Sequence, residues 1–256
     1  MKKQFPNALT LCNLVCGCIA VRYALMTEFP KALLFIVLGA VFDFFDGFAA
    51  RKLHVSSPIG KELDSLADNI TFGFAPAAMM FILLESCLGN VATLHGANVH
   101  DCWYTYIKVA ALLIAAFSAY RLAKFNLDSR QTTSFLGLPT PANALLTASF
   151  VMTLNKVDHA LECLGGPLQA NIAAIVMMLV FIAVTCWLLV SELPLFSLKF
   201  KDFSWANNRV RYIFILTSAI ALIISAFIGW QWLIAILGCV IVWYIVLSLF
   251  TKDGAQ

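Results

Sequence analysis

Apolar residues run through this chain in stretches of about 17 to 25, the length a helix needs to cross the hydrocarbon core of a bilayer. Eight such stretches begin near Ala8, Ala32, Asp64, Tyr104, Thr140, Ala170, Tyr212 and Trp230. The least hydrophobic connections are Arg51 to Lys61, Cys87 to Cys102, Phe125 to Pro139, Asn155 to Gln169 and Leu193 to Arg211. No repeat, low-complexity tract or long linker interrupts the series. The pattern predicts an all-α integral membrane protein of about eight transmembrane helices, forming a single membrane domain over residues 1–256. Composition agrees: 61% of the residues are hydrophobic and 12% charged, with a mean hydropathy of +0.87, well outside the soluble range. Met1-Lys2-Lys3 precedes the first stretch as in a signal peptide, but no A-x-A-like site follows and Asn7, Thr10 and Asn13 interrupt the apolar run. It reads as a retained helix.

Charge adds an orientation. The formal net charge is only +3, but with both termini on one side that side receives thirteen of the seventeen basic residues, among them Lys2, Arg51, Lys61, Arg121, Lys124, Arg130 and Arg211. Arg22, Lys31, Lys108 and Lys156 fall opposite. Cytoplasmic loops are enriched in Lys and Arg, so both termini are expected in the cytoplasm, with the protein in a bacterial inner membrane. A basic rim also attracts anionic lipid headgroups, and nothing points to nucleic acid. The stretch from Leu193 to Arg211 mixes Phe and Trp with Lys and Arg, as either an interfacial anchor or a plain loop with snorkelling cations does. The two stretches after it are almost without polar residues and read as an added hairpin. Of eight cysteines, Cys87, Cys102 and Cys163 fall at outer positions, where a Cys87 to Cys102 disulfide is open. Cys12, Cys16 and Cys18 lack zinc-like spacing. His54 reads as a solvated loop residue, and His95, His100 and His159 lie on the outer side.

Against this background four aspartates stand out, Asp43, Asp46, Asp64 and Asp68, where the second stretch ends and the third begins. Carboxylates in membrane helices are costly and face a partner, a cavity or an ion. Spacings of three and four put each pair on one helix face. Gly47 and Ala50 share the first face, Gly60 lies one turn before Asp64, and Arg51 follows. Four converging carboxylates repel without a cation, and one arginine is too little. Hard divalent cations, Mg²⁺ or Mn²⁺, take such oxygens, and a pair of them suits in-line phosphoryl chemistry. Arg51 can pair with a diphosphate oxygen, and one carboxylate can take a proton from an alcohol. The bland reading is a set of interfacial caps paired with Arg51, Lys52 and Lys61. Against it, D-x2-D-G-x2-A-R-x8-G-x3-D-x3-D specifies eight positions, a chance match on the order of 10⁻¹⁰ per starting point.

This constellation resembles the signature of the CDP-alcohol phosphotransferases. The resemblance implies a six-helix membrane bundle, here residues 1–191, usually a homodimer. Such an enzyme transfers a phosphoalcohol group from a CDP-linked donor to a hydroxyl and releases CMP; residues 192–256 would be the interfacial segment and C-terminal hairpin. It also implies that Asp43, Asp46, Asp64 and Asp68 bind two divalent cations, with Asp68 as general base. Gly47, Ala50 and Arg51 would contact the nucleotide and diphosphate, and Gly60 would keep the helices close. The stripe Asn7, Thr10, Asn13 would either contact the cytidine or glue helices together.

The flanks bear on the acceptor. DSLADNITFGFAP and RLAKFNLDSRQTTSFLGLPTPANA are similar to the membrane-embedded, serine-using branch of that family, over roughly residues 5 to 190, although Thr71 stands where Ser is more usual. The expected reaction is phosphatidyl transfer from CDP-diacylglycerol to the L-serine hydroxyl. A zwitterionic acceptor needs a cation for its carboxylate, offered by Arg121, Lys124 and Arg130, and acceptors for its ammonium, offered by Asn126 and Asp128. Positive-inside statistics alone also put cations there. Phe135 to Pro139 reads as a loop lining the acceptor side. The rivals are another acceptor, glycerol 3-phosphate or inositol phosphate, and a divalent-cation transporter. A transporter requires acidic residues at mid-membrane on broken helices.

Overall fold

The computed structural model describes residues 4–55, 57–94, 103–127, 135–163, 168–195 and 205–250. The chain forms α1 (Gln4–Leu25), α2 (Phe29–Lys52), α3 (Pro58–Asp68), a π-helical turn (Asn69–Phe74), α4 (Ala75–Leu94), a 3₁₀ segment (Trp103–Leu112) that continues into α5 (Leu113–Leu127), α6 (Thr140–Cys163), α7 (Leu168–Val190), α8 (Trp205–Ile228) and α9 (Trp230–Phe250). Taking α3, the π turn and α4 as one rod, and the 3₁₀ segment with α5 as another, these make the eight helical passages expected from the pattern. Among the described residues six are long and apolar enough to cross a membrane: Gln4–Leu25, Phe29–Lys52, Pro58–Thr93, Tyr106–Leu127, Gln169–Val190 and Asn208–Ile228. In α6 the polar residues Asn143, Asn155 and Lys156 dilute the apolar run.

The third passage starts earlier than the hydrophobic pattern suggests. Ser57 and Pro58 explain why: the Ser57 hydroxyl accepts from the Gly60 N–H at 3.0 Å, and proline at the first helical position needs no hydrogen-bond partner for its nitrogen. The expected connection from Arg51 to Lys61 therefore shrinks to residues 53–57, and Arg51 and Lys61 are helical.

The rod Pro58–Thr93 is the centre of the bundle. Its apolar window is 67% buried against 11% for Asn208–Ile228, so α8 lies at the periphery. Lipid is as apolar as a helix face, so close van der Waals packing has to hold such helices together. Small residues supply it: Ala75, Ala77, Ala144 and Ala148 are fully buried beside Met79, Met80 and Leu84. Phe150 of α6 stacks on Phe181 of α7 with centroids 4.0 Å apart. The hairpin docks on α6 through Gly238, where an added Cβ would lie 3.0 Å from that of Ser149. Phe214 and Tyr244 join Leu138 and Leu146 in a second apolar cluster.

The stretch from Phe135 to Pro139 is tied to the chain that follows α7. Phe135–Leu136 (β1) and Pro194–Leu195 (β2) form a two-residue antiparallel bridge. The Gly137 N–H donates to Leu193 O at 3.0 Å and that of Leu138 to Leu188 O at 2.9 Å. Gly137 has a φ of 73° and no room for a Cβ, which would lie 2.8 Å from Ser191 O. This backbone is pinned to the end of α7.

Candidate active site

The turn between α2 and α3 brings the aspartates together. The N–H groups of Leu53 and Val55 close the end of α2 on Ala49 O and Ala50 O, at 2.9 and 3.0 Å. His54 takes a φ of 50°, a left-handed conformation in which histidine is enriched among non-glycine residues. The chain thus reverses within five residues, and α3 returns beside α2. Asp43, Asp64 and Asp68 each offer a carboxylate oxygen, all within 4.8 Å of one another.

Asp46 stands slightly apart from this trio. It is buried, and its Oδ2 accepts the Thr10 hydroxyl of α1 at 2.6 Å. Asn13, one turn further along α1, donates from Nδ2 to Asp68 Oδ1 at 3.0 Å. Two of the three polar residues of the α1 stripe therefore orient aspartates. Among the described residues no ion pair joins Lys or Arg to any of the four. Three anionic oxygens this close repel one another, and hard cations prefer this donor set. The trio fits a divalent metal.

Beside it lies a cavity of about 250 Å³ lined by Asn7, Thr10, Asp46, Gly47, Ala50, Gly60, Lys61 and Asp64. Gly47 faces open space: a Cβ would meet only Arg51 Nη1, at 3.6 Å. Gly60 is tighter, since a Cβ would lie 3.0 Å from both Asn7 Oδ1 and Ser57 Oγ. One glycine keeps the cavity open and the other lets α1 approach α3. Neither Asn13 nor Arg51 is among the lining residues; Arg51 is exposed, its Nη1 3.6 Å from where a Cβ on Gly47 would lie. A wider groove of about 380 Å³ between α5 and α7 carries no charged side chain.

The expected acceptor residues divide. Arg121 is buried, 7% exposed; its Nη1 donates to the Thr140 hydroxyl of α6 at 3.4 Å. Lys124 instead pairs with Glu192 at 3.4 Å. Asn126 donates to Ser65 Oγ at 2.7 Å and Lys61 Nζ to Asn126 O at 3.0 Å, so this end of α5 is tied to α3. Arg130, Asp128 and Cys102 lie outside the described residues, as do His95, His100 and residues 196–204 of the proposed anchor; Cys87 is buried in α4.

The motif does not reveal what holds Asp68 in register. The π turn that follows it buries Thr71, whose hydroxyl donates to Asn13 O at 3.0 Å. Thr71 presses against Gly17 of α1 and Gly39 of α2: a Cβ on Gly17 would lie 2.9 Å from Thr71 N, and one on Gly39 2.5 Å from Thr71 Cγ2. Both glycines are visible in the sequence, but nothing there shows that they meet. The family profile described as CDP-alcohol phosphatidyltransferase matches residues 3–244. The chain belongs to that family. Among its relatives, the CDP-diacylglycerol–serine O-phosphatidyltransferase of Bacillus subtilis (strain 168) is 34% identical over 160 residues, 62% of this chain and 82% of the relative. The enzyme of the same name from Helicobacter pylori (strain ATCC 700392 / 26695) is 33% identical over 160 residues, 62% of this chain and 61% of the relative. That of Methanocaldococcus jannaschii is 32% identical over 165 residues, 64% and 69%. The acidic trio is thus the candidate metal centre of a CDP-alcohol phosphatidyltransferase.

Proposed function

We propose that this protein is a CDP-diacylglycerol–serine O-phosphatidyltransferase. The observation that carries the reading is the convergence of Asp43, Asp64 and Asp68 beside a cavity lined by Gly47, Ala50 and Gly60 of the same motif. The names of the relatives support the acceptor. Asn7, Thr10, Gly47 and Ala50 receive the cytidine monophosphate part of the donor, and Arg51, beside Gly47, pairs with its diphosphate. Asp43, Asp46, Asp64 and Asp68 hold two divalent cations, Mg²⁺ or Mn²⁺, whose charge when bound stabilises the diphosphate and the departing CMP. Asn13 fixes the Asp68 carboxylate, which takes the proton of the serine hydroxyl. The serine oxygen forms its bond to the β-phosphorus as the bond from that phosphorus to the bridging oxygen breaks, and that oxygen leaves on CMP. The acyl chains extend sideways into lipid.

The catalytic core is residues 1–191, with 192–256 an interfacial segment and hairpin; the core works as a homodimer in a bacterial inner membrane, its site at the cytoplasmic face. The test is CMP release by purified protein with CDP-diacylglycerol and Mg²⁺ or Mn²⁺, comparing L-serine, glycerol 3-phosphate and inositol phosphate. Serine- and metal-dependent release, reduced about 10²- to 10⁴-fold in Asp68→Asn, is expected. Release with another acceptor would overturn the serine assignment and leave the aspartate chemistry standing.

A further inference from the structure

Beyond the aspartates, six buried polar atoms on three adjoining elements have no hydrogen-bond partner among the described residues. They are Asn69 Oδ1 in the π turn, Ser118 Oγ and Arg121 Nε on α5, and Asn143 Nδ2, Asn143 Oδ1 and Thr147 Oγ1 on α6. Ser118, Asn143 and Thr147 are completely buried. A close approach and a hydrogen bond join these elements into one seam. A Cβ on Gly73 would lie 2.7 Å from Asn69 Oδ1 and 3.5 Å from Ser118 Oγ, so the glycine brings the π turn against α5. Arg121 reaches Thr140, and Asn143 and Thr147 follow Thr140 along the same face of α6. Asp68 directly precedes Asn69, so the seam begins where the reacting hydroxyl must lie.

Buried polar groups without partners are costly, and native proteins keep few. Six in one seam call for an occupant, and their chemistry specifies it. Arg121 Nε and Asn143 Nδ2 are donors that suit a carboxylate; Asn69 Oδ1 and Asn143 Oδ1 are acceptors that suit an ammonium; the two hydroxyls serve as either. A phosphorylated acceptor would set its anion against those carbonyl oxygens. We propose that this seam is the site for the α-carboxylate and α-ammonium of the amino-acid acceptor, with Arg121 and Asn143 on the carboxylate and Asn69 on the ammonium. This rests on the serine reading. It moves recognition away from Lys124 and Asn126, which are engaged with Glu192 and Ser65, and into the bundle.

The test uses the full chain, with Asn143→Leu removing both amide atoms and Thr147→Val removing a hydroxyl at nearly constant volume. Steady-state CMP release is measured against L-serine and against CDP-diacylglycerol, with L-serine methyl ester as an acceptor that lacks the carboxylate charge. Asn143→Leu should raise KM for L-serine about tenfold or more, leave KM for CDP-diacylglycerol unchanged and narrow the preference for serine over its ester. Thr147→Val should raise the serine KM less and keep the proposal testable if Asn143→Leu does not accumulate. An unaltered serine KM in either purified variant means the seam holds only water and overturns the assignment. Equal changes in both KM values mark a structural role and also overturn it. A wild-type protein that releases CMP without using serine refutes the function itself, a result distinguishable from both.

Discussion

Thr10, which lines the cavity, and Gly39, which does not, each control an aspartate. The Thr10 hydroxyl is the hydrogen-bond donor to the Asp46 side chain at 2.6 Å. Thr10→Val should lower unfolding stability by about 1.5–3 kcal/mol, the worth of a hydrogen bond to a charged group. Thermal unfolding in detergent reads this loss, and added Mg²⁺ should reduce it if Asp46 then gains a cation as partner. Gly39 acts through space. Its missing Cβ leaves room for Thr71 Cγ2 and for Asn13 Oδ1, 2.5 and 2.8 Å from where that atom would sit. Gly39→Ala is expected to cost about 1–3 kcal/mol by overpacking and to loosen the hold of Asn13 on Asp68. Gly47→Ala, with open space before it, should leave thermal stability unchanged and raise KM for CDP-diacylglycerol. Comparing the melting temperatures and KM values of the two alanine variants separates packing from binding.

Among the elements, the π turn and the hairpin carry the sharpest expectations. A π turn inserts a residue into a helix and often marks a functional position; here it follows Asp68 and buries Thr71 between α1 and α2. Thr71→Val keeps the volume and removes the bond to Asn13 O, so activity should fall more than the roughly 1 kcal/mol of stability lost; Thr71→Ser, which keeps the hydroxyl, should retain activity. The hairpin α8–α9 packs on the far side of α6. A chain ending after β2, at residue 195, should retain serine-dependent CMP release and melt at a lower temperature. The aspartates and the eight passages could be read from residue spacing alone because spacing determines which side chains share a helix face. The roles of Thr71, Asn143 and Thr147 could not, since single polar residues in apolar helices look alike until their neighbours across the bundle are known. The partners of Lys124 and Asn126, Glu192 and Ser65, were hidden for the same reason.

For the whole molecule, the acidic trio and the basic helix ends share one end of the bundle. Among the described residues the other end carries the Lys31–Glu28 and Lys108–Glu85 pairs. If the first end faces the cytoplasm, a cysteine replacing the exposed Lys52 in a background lacking the other exposed cysteines should react with a membrane-impermeant thiol reagent only in inverted vesicles. Labelling in right-side-out vesicles would reverse the orientation. Chelation should abolish CMP release and lower the melting temperature together, because the carboxylates of Asp43, Asp64 and Asp68 would again face one another without a cation.

The rod Pro58–Thr93 has 36 residues, about 54 Å of helix against a hydrocarbon core of about 30 Å. With its Thr93 end flush with the far boundary, Asp68 stands about 7 Å outside the near boundary, at the level where a nucleotide-capped lipid carries its diphosphate, and Asp64 lies one turn further out. The donor does not have to be lifted out of the leaflet to react. Encounter is then a two-dimensional search, and turnover follows the donor's mole fraction in the membrane plane: diluting it with inert lipid or detergent slows the enzyme even when the amount of donor in the tube is unchanged.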